Sequence, residues 1–352
     1  MSGEFNLIDR YFSHRQENRS DVQLALGDDC ALLTVPTGYQ LAVSTDTVVL
    51  GVHFLADANP ADIAYKALMS NISDLAAMGA TPAWLSMAIS MPKFAQEVEN
   101  NATLGTDDWF TENWLEAFCD SMFTLANQHN LQLIGGDTTN GPLTITFTIQ
   151  GFVPSGQAMT RSGAKLGDWL YVSGNLGDSQ AGLEVILDPS KSNRPHAQYL
   201  VQQHFRAQSR INFSQSLRGL ASSCIDISDG LTSDLLHILK RSNVSARLNI
   251  DALPVSIQSC DFYGSMAQAQ QAALTSGEEY ELCFTVPDQY KTEVDKLEAT
   301  SNENFAKAYC IGRIIAHPEL TQQPEIQLYL DDKLLNSNNS SKLLTGFDHF
   351  KS

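Results

Sequence analysis

Residues 39–49 read YQLAVSTDTVV, and residues 131–139 follow the same plan as LQLIGGDTT. Each is an apolar, β-rich run closing on small polar residues and an aspartate, which predicts two strands with carboxylates at their ends. Between them, Asn59-Pro60 supplies a capping side chain and a proline suited to the first turn of a helix. That helix is predicted to run to about Met78 and to stop at Gly79, with Ala64, Leu68, Ile72 and Leu75 at helical spacing on its buried side. A second helix, rich in aromatics, is expected around 108–129. The polar stretch from about Gln96 to Thr106 reads as an exposed loop.

Further along, PLTITFTIQGFV (142–153) alternates as a half-buried strand does, and Gly156–Gly167 reads as a crossover into a new unit. Beyond it, DWLYVSGNLGDSQAGL is strand, glycine turn and helix. IDISDGLTSDLLHILKRSN is a strand end, a turn and an amphipathic helix, and SGEEYELCFTVP is a turn leading into a strand. Two domains are expected, 1–154 and 155–352. Because both halves mix strands and helices without a simple βαβ repeat, the expected fold class is α+β.

The chain has 352 residues, with 43% hydrophobic and 18% charged, the composition of a globular protein. With 22 Lys and Arg against 40 Asp and Glu, its net charge of −18 argues against nucleic acid and anionic membrane surfaces as partners. Such acidity also repels phosphate ligands, unless divalent ions stand between carboxylate and phosphate. The six cysteines show no CxxC pair and no zinc-ligand spacing, and read as buried thiols of a reducing compartment. No basic segment followed by an apolar stretch opens the chain and no 18-residue apolar run occurs, so a cytoplasmic protein is expected.

Five acidic clusters carry the chemistry: Gly27-Asp28-Asp29, Ser44-Thr45-Asp46-Thr47, Asn71-Ile72-Ser73-Asp74, Gly135-Gly136-Asp137-Thr138 and Asp226-Ile227-Ser228-Asp229-Gly230. Carboxylates with hydroxyl neighbours are hard oxygen ligands, the set Mg²⁺ prefers when it also holds phosphates. Taken singly, Asp28-Asp29 is equally a solvated turn, and Ser44–Thr47 equally a cap cluster where a strand meets a loop. Asp74 carries more weight, because a carboxylate inside an apolar helix is costly unless paired or metal-bound. The glycines before Asp137 let backbone approach a ligand closely. The amides opening the helix after Ser228 suit an anion, or Ser228 and Asp229 are plain caps. Arg161 fits either a phosphate grip or an interdomain salt bridge. His53 and the Glu278-Glu279 pair have ordinary structural readings as well. With no GxxxxGK[ST] and no HRD or DFG, phosphoryl chemistry needs an architecture other than a P-loop or a protein kinase.

Read in order, GDDCALL, STDTVV, GVHF, ADIAYKALMSNISDLAAMGATPAWL, QLIGGDTT, TRSGAKLGDWLYVSG, IDISDGL, GEEYELCFTVP and GFDHF resemble the thiamine-monophosphate kinase family of the aminoimidazole ribonucleotide synthetase superfamily, nearly end to end. That resemblance implies ATP-dependent phosphorylation of thiamine monophosphate to thiamine diphosphate. It implies Asp29, Ser44, Thr45, Asp46, Asp74, Asp137, Asp226 and Asp229 as ligands of several Mg²⁺ ions, with Asp29, Asp46, Asp74 and Asp137 serving the reaction itself. Gly136, Arg161 and Ser228 would touch ATP, and His53, Glu278 and Phe347 the thiamine phosphate. A homodimer through the N-terminal domains is implied, as is ATP between the two domains of each chain. Departures are small: Glu279 stands where Asp is common, the aromatic at Phe347 varies, and 96–106 resembles an insertion. The rival readings are another ATP-dependent member of the superfamily and a non-catalytic binder of thiamine phosphates or metal ions.

Overall fold

A computed structural model describes residues 4–13, 15–16, 18–94, 109–297, 306–317 and 323–335. They fall into two compact units, one from residues 1–75 and 81–155, the other from 76–80 and 156–352.

The first unit is built on a four-stranded sheet in the order Tyr39–Val49, Thr144–Pro154, Thr81–Met91, Gln132–Asn140. The first three strands pair antiparallel and the last pair is parallel. In the second strand Ile145, Phe147 and Ile149 are fully buried while Thr144, Thr146 and Thr148 are half-buried, so one face is core and the other polar. Helix Pro60–Ala77 lies on the core face and contributes Ala64, Leu68, Ile72 and Leu75, each 1% exposed or less. Asn59 caps it, its side chain accepting the Ala61 N–H at 2.9 Å, and Gly79 ends it at φ +68°. The aromatic helix runs over Glu112–Gln128 with Thr111 as its cap, its side chain accepting from the Trp114 N–H. Strand Thr81–Met91 escaped the sequence reading. It is interior to the sheet and buried on both faces over Pro82–Leu85, so it lacks the alternation that announces a strand.

The second unit holds a seven-stranded sheet in the order Lys333–Leu334, Ile326–Leu330, Ser245–Asn249, Ala308–Ile315, Trp169–Ser173, Leu282–Val286, Ser223–Asp226. Ile326–Leu330 and Ser245–Asn249 pair parallel and the other neighbours antiparallel. Helices Asp178–Leu187 and Leu231–Ser242 follow strands Trp169–Ser173 and Ser223–Asp226. The core joins Leu231, Leu235 and Ile238 of the latter helix to Leu170, Val172, Ile225, Cys283 and Ile311 of the sheet. Two mixed sheets with helices make the fold α+β.

The cysteines correct one expectation. All six are free thiols, but Cys30 is exposed and Cys260 and Cys310 are intermediate, leaving Cys119, Cys224 and Cys283 buried. Cys30 follows the Gly27–Asp29 turn, which has no core to enter. Among the described residues no helix is long and apolar enough to cross a membrane. The stretch 96–106 lies outside the described residues.

Candidate active site

In the first unit, strand Tyr39–Val49 and helix Pro60–Ala77 bring the acidic residues together. The motif Ser44-Thr45-Asp46-Thr47 does not end its strand, as expected from sequence, but lies inside it. Period-two alternation therefore divides it between two faces. Ser44 and Asp46 turn toward the helix, where the Ser44 hydroxyl donates to Asp74 Oδ2 and Ser70 bonds the Asp46 carboxyl. Thr45 and Thr47 turn the other way and pair across the sheet with Thr148 and Thr146, each at 2.9 Å. The strand continues through polar residues because these hydroxyl pairs hold its outer face.

Burial pushes the Asp46 carboxyl above its ordinary value, while the Ser70 hydrogen bond and the charge of His53 pull it down. His53 Nδ1 accepts the Val49 N–H at 3.1 Å, which places the neutral ring's proton on Nε2. The Lys66 ammonium donates to the His53 carbonyl at 3.1 Å. Asn71, fully buried, gives its amide N–H to the Ala67 carbonyl at 3.2 Å, and among the described residues its Oδ1 has no hydrogen-bond partner. Asn71 belongs to the Asn71–Asp74 cluster singled out in the sequence but was given no role there, and Ser70, one residue before it, was passed over because a serine on a helix is ordinary.

Asp29 and Asp137 are not drawn into this group. Asp29 sits exposed in its turn, its N–H bonded to Asp28 Oδ1 at 2.9 Å. Asp137 also lies within a strand rather than after one, opposite Ala88, which pairs with Thr146 on the outer face. Gly136, at φ +154°, makes a close approach of its own: a Cβ there would come within 1.8 Å of the Met87 carbonyl oxygen. Among the described residues no three Asp, Glu, His or Cys side chains converge as a metal cluster.

In the second unit, Asp226 ends a buried strand and is 4% exposed. In the turn after it, two of the amides are taken by a side chain of the following helix. The N–H groups of Ser228 and Asp229 both donate to Asp234 Oδ2, each at 3.0 Å. Asp234, inside the first turn of helix Leu231–Ser242, thus fills the position an external anion would take. Burial, with the nearby Asp229 charge, raises the Asp234 carboxyl to about 7 against these backbone bonds. Arg161 is exposed, and among the described residues no ion pair holds its guanidinium. Together with burial, its charge lowers His237, a residue of the same helix that also feels Asp229.

Glu278 sits in a left-handed turn, φ +55°, fixed by its N–H to the Ser228 carbonyl at 2.7 Å. Its carboxylate lies 3.6 Å from Nε2 of buried His204. The glycine turn 173–178 has no open phosphate cradle, since the N–H groups of Gly174, Leu176 and Gly177 bond Lys307 O, Pro254 O and Glu279 Oε1. Phe347 lies outside the described residues.

The chain matches the AIR synthase related protein N-terminal domain over residues 27–153 and the corresponding C-terminal domain over 165–323. It is 49% identical over 318 residues to the thiamine-monophosphate kinase of Salmonella typhimurium, covering 90% of this chain and 92% of the relative. It is 44% identical to that of Haemophilus influenzae, over 99% of this chain and 98% of the relative. Among solved structures, the thiamine-monophosphate kinase from Stenotrophomonas maltophilia K279a superposes with a TM-score of 0.77 at 36% identity, covering 95% and 98% of the two chains. AaThiL complexed with AMPPCP and TMP superposes at 0.70 with 27% identity, covering 98% and 96%. The chain belongs to the AIR synthase related family and, within it, to the thiamine-monophosphate kinases.

Proposed function

We propose that the protein transfers the γ-phosphoryl group of ATP to thiamine monophosphate, forming thiamine diphosphate and ADP. Nearly full-length identity to thiamine-monophosphate kinases carries this reading, and a related kinase holds AMPPCP and TMP together. The acceptor is a phosphate oxygen already ionised near neutrality, so no strong general base is needed. The demands are alignment and relief of repulsion between two anions.

The residues present suit Mg²⁺. Asp46 and Asp74 share one face with the hydroxyls of Ser44 and Ser70, a set of hard oxygen donors. Asp29, Ser44, Thr45, Asp46, Asp74, Asp137, Asp226 and Asp229 are the proposed ligands; Thr45, whose hydroxyl faces away from Asp46, would serve through its backbone carbonyl. When bound, Mg²⁺ would neutralise charge on both phosphates.

The chain's own groups do the rest. Ser44 and Ser70 hold the carboxylates of Asp74 and Asp46 in place. The Arg161 guanidinium grips ATP phosphate oxygens, and the turn at Ser228 and the backbone at Gly136 border the nucleotide. His53, with its Nε2 proton, and Glu278 orient thiamine monophosphate, with Phe347 against its rings. A homodimer through the N-terminal unit is part of the reading: Leu41 and Val43 stand 46% and 57% exposed on the sheet face opposite the helix, an apolar surface that a second copy would cover. Six free thiols suit a cytoplasmic setting.

An acceptor panel tests the activity. With ATP and Mg²⁺, thiamine monophosphate should be phosphorylated, while thiamine and formylglycinamidine ribonucleotide should not. Turnover of the amidine in place of thiamine monophosphate would assign the chain to a ring-forming synthetase. Saturable binding without ADP release would make it a binding protein.

A further inference from the structure

In the second unit, helix Ile257–Tyr263 is joined to helix Met266–Thr275 by only two residues, Gly264 and Ser265. Gly264 stops the first helix: it takes φ +87°, and its N–H closes on the Cys260 carbonyl at 2.8 Å. Ser265 starts the second, its hydroxyl accepting the Gln268 N–H at 3.3 Å. The Cys260 N–H is tied in turn to the Ser256 carbonyl at 3.0 Å. So short a connection brings the first side chain of the second helix against the first helix, where the Cys260 thiol donates to the Met266 sulfur at 3.6 Å.

Core packing does not account for this pair. Sulfur side chains ordinarily fill interiors, yet Met266 is 55% exposed and Cys260 is only partly covered. The separation suits a bridging ion. A metal–sulfur bond of about 2.3 Å, applied to sulfurs 3.6 Å apart, sets the two bonds about 100° from each other. Three- and four-coordinate ions accept that angle, so neither helix has to move. The donors choose the ion. Hard cations such as Mg²⁺ and Ca²⁺ take oxygen, and Zn²⁺ takes thiolate, imidazole or carboxylate, whereas a thiolate beside a thioether suits Cu(I). A net charge of −18 draws cations to the surface, and Asp261 adds a carboxylate next to the thiol. Burial, with the Asp261 and Asp178 charges, raises the Cys260 thiol above its ordinary value, so near neutrality it keeps its proton until a metal displaces it.

We propose that Cys260 and Met266 form a binding site for one Cu(I) ion, a property separate from the kinase reaction. On binding, the Cys260 S–H bond breaks, its proton passes to solvent, and the thiolate sulfur supplies the electron pair of the new S–Cu bond. Met266 adds a sulfur lone pair and loses nothing. Copper remains Cu(I) throughout, and its remaining position is open to a ligand from solution.

The test titrates the full-length protein, without oxygen or added thiol, against the coloured Cu(I) complex of bathocuproine disulfonate. The wild type should withdraw one equivalent of Cu(I). Cys260→Ser and Met266→Leu should each weaken that binding at least about 10-fold, because each leaves one sulfur where two had acted together. Cys30→Ser, which removes the exposed thiol of the first unit, should change nothing. No withdrawal of Cu(I) by the wild type would overturn the proposal. So would unchanged binding in Met266→Leu, which would mean a single thiol acting alone, or binding lost in Cys30→Ser and kept in Cys260→Ser. X-ray absorption at the copper edge of the loaded wild type decides the matter even if a variant misfolds. Two sulfur neighbours should appear; one sulfur alone would contradict the site.

Discussion

Asp74 shows how one residue can announce a site. Its helix neighbours Ile72, Leu75 and Ala76 are all but sealed from solvent, and its carboxylate meets the Ser44 hydroxyl across to the sheet. Asp74→Asn keeps the shape and removes the charge, so turnover should fall roughly 100-fold or more while the thermal midpoint changes little. ADP release near the wild-type rate across a Mg²⁺ titration would take Asp74 out of the site. Glu279 carries a different signature. Its folded-state value is raised by burial to about 8 from an ordinary 4.5, so the folded protein holds this proton where the unfolded chain has lost it. Its contribution to stability is fully present below about pH 4.5 and is lost as pH rises toward 8. Thermal melts should show the wild type losing stability over that window and Glu279→Gln losing less; parallel curves would contradict the raised value. Asp74 stands out in sequence because a carboxylate inside an apolar helix needs a reason, whereas Asp46, among the hydroxyls of STDT, reads equally as a cap. Asp234 does not stand out, since in LTSDLLHIL it reads as a polar position of an amphipathic helix, and its reach back to two amides exists only once the turn has folded.

At the scale of the element, the two polar strand segments carry the lesson. STDT and GGDT look like strand ends because their side chains are small and polar, yet both lie inside strands: the outer face at STDT is held by Thr45–Thr148 and Thr47–Thr146 pairs, while GGDT runs parallel beside Thr81–Met91. Spacing in sequence placed Ser44, Thr45 and Asp46 side by side; the pleat separates Thr45 from the other two. Register likewise sends Asp137 to the face opposite Asp46, which no reading of the motif alone could foresee. The helices were easier. Capping at Asn59 and termination at Gly79 are local chemistry, visible in a few residues. Helix Leu231–Ser242 depends on Asp234 in the same local way. Asp234→Ala strips the acceptor from the Ser228 and Asp229 amides and should cost about 1–3 kcal/mol, measured as a lower denaturant midpoint. An unchanged midpoint would mean that water replaces the carboxylate without loss.

For the whole molecule, two α+β units and a net charge of −18 suit a protein that manages phosphate repulsion through cations rather than lysines. The seven-strand order of the second sheet was not visible in the sequence, because it depends on non-local pairing. The outer sheet face of the first unit should be the dimer surface. Val43→Glu with Leu41→Glu places charge there and should shift the sedimenting species from dimer to monomer; an unaltered dimer would place the interface elsewhere. The central claim is the reaction itself. It is tested most directly by incubating the purified protein with ATP, Mg²⁺ and thiamine monophosphate and following thiamine diphosphate and ADP by chromatography. The two products should rise one for one and stop when EDTA is added; ADP without thiamine diphosphate, or no product at all, would contradict it.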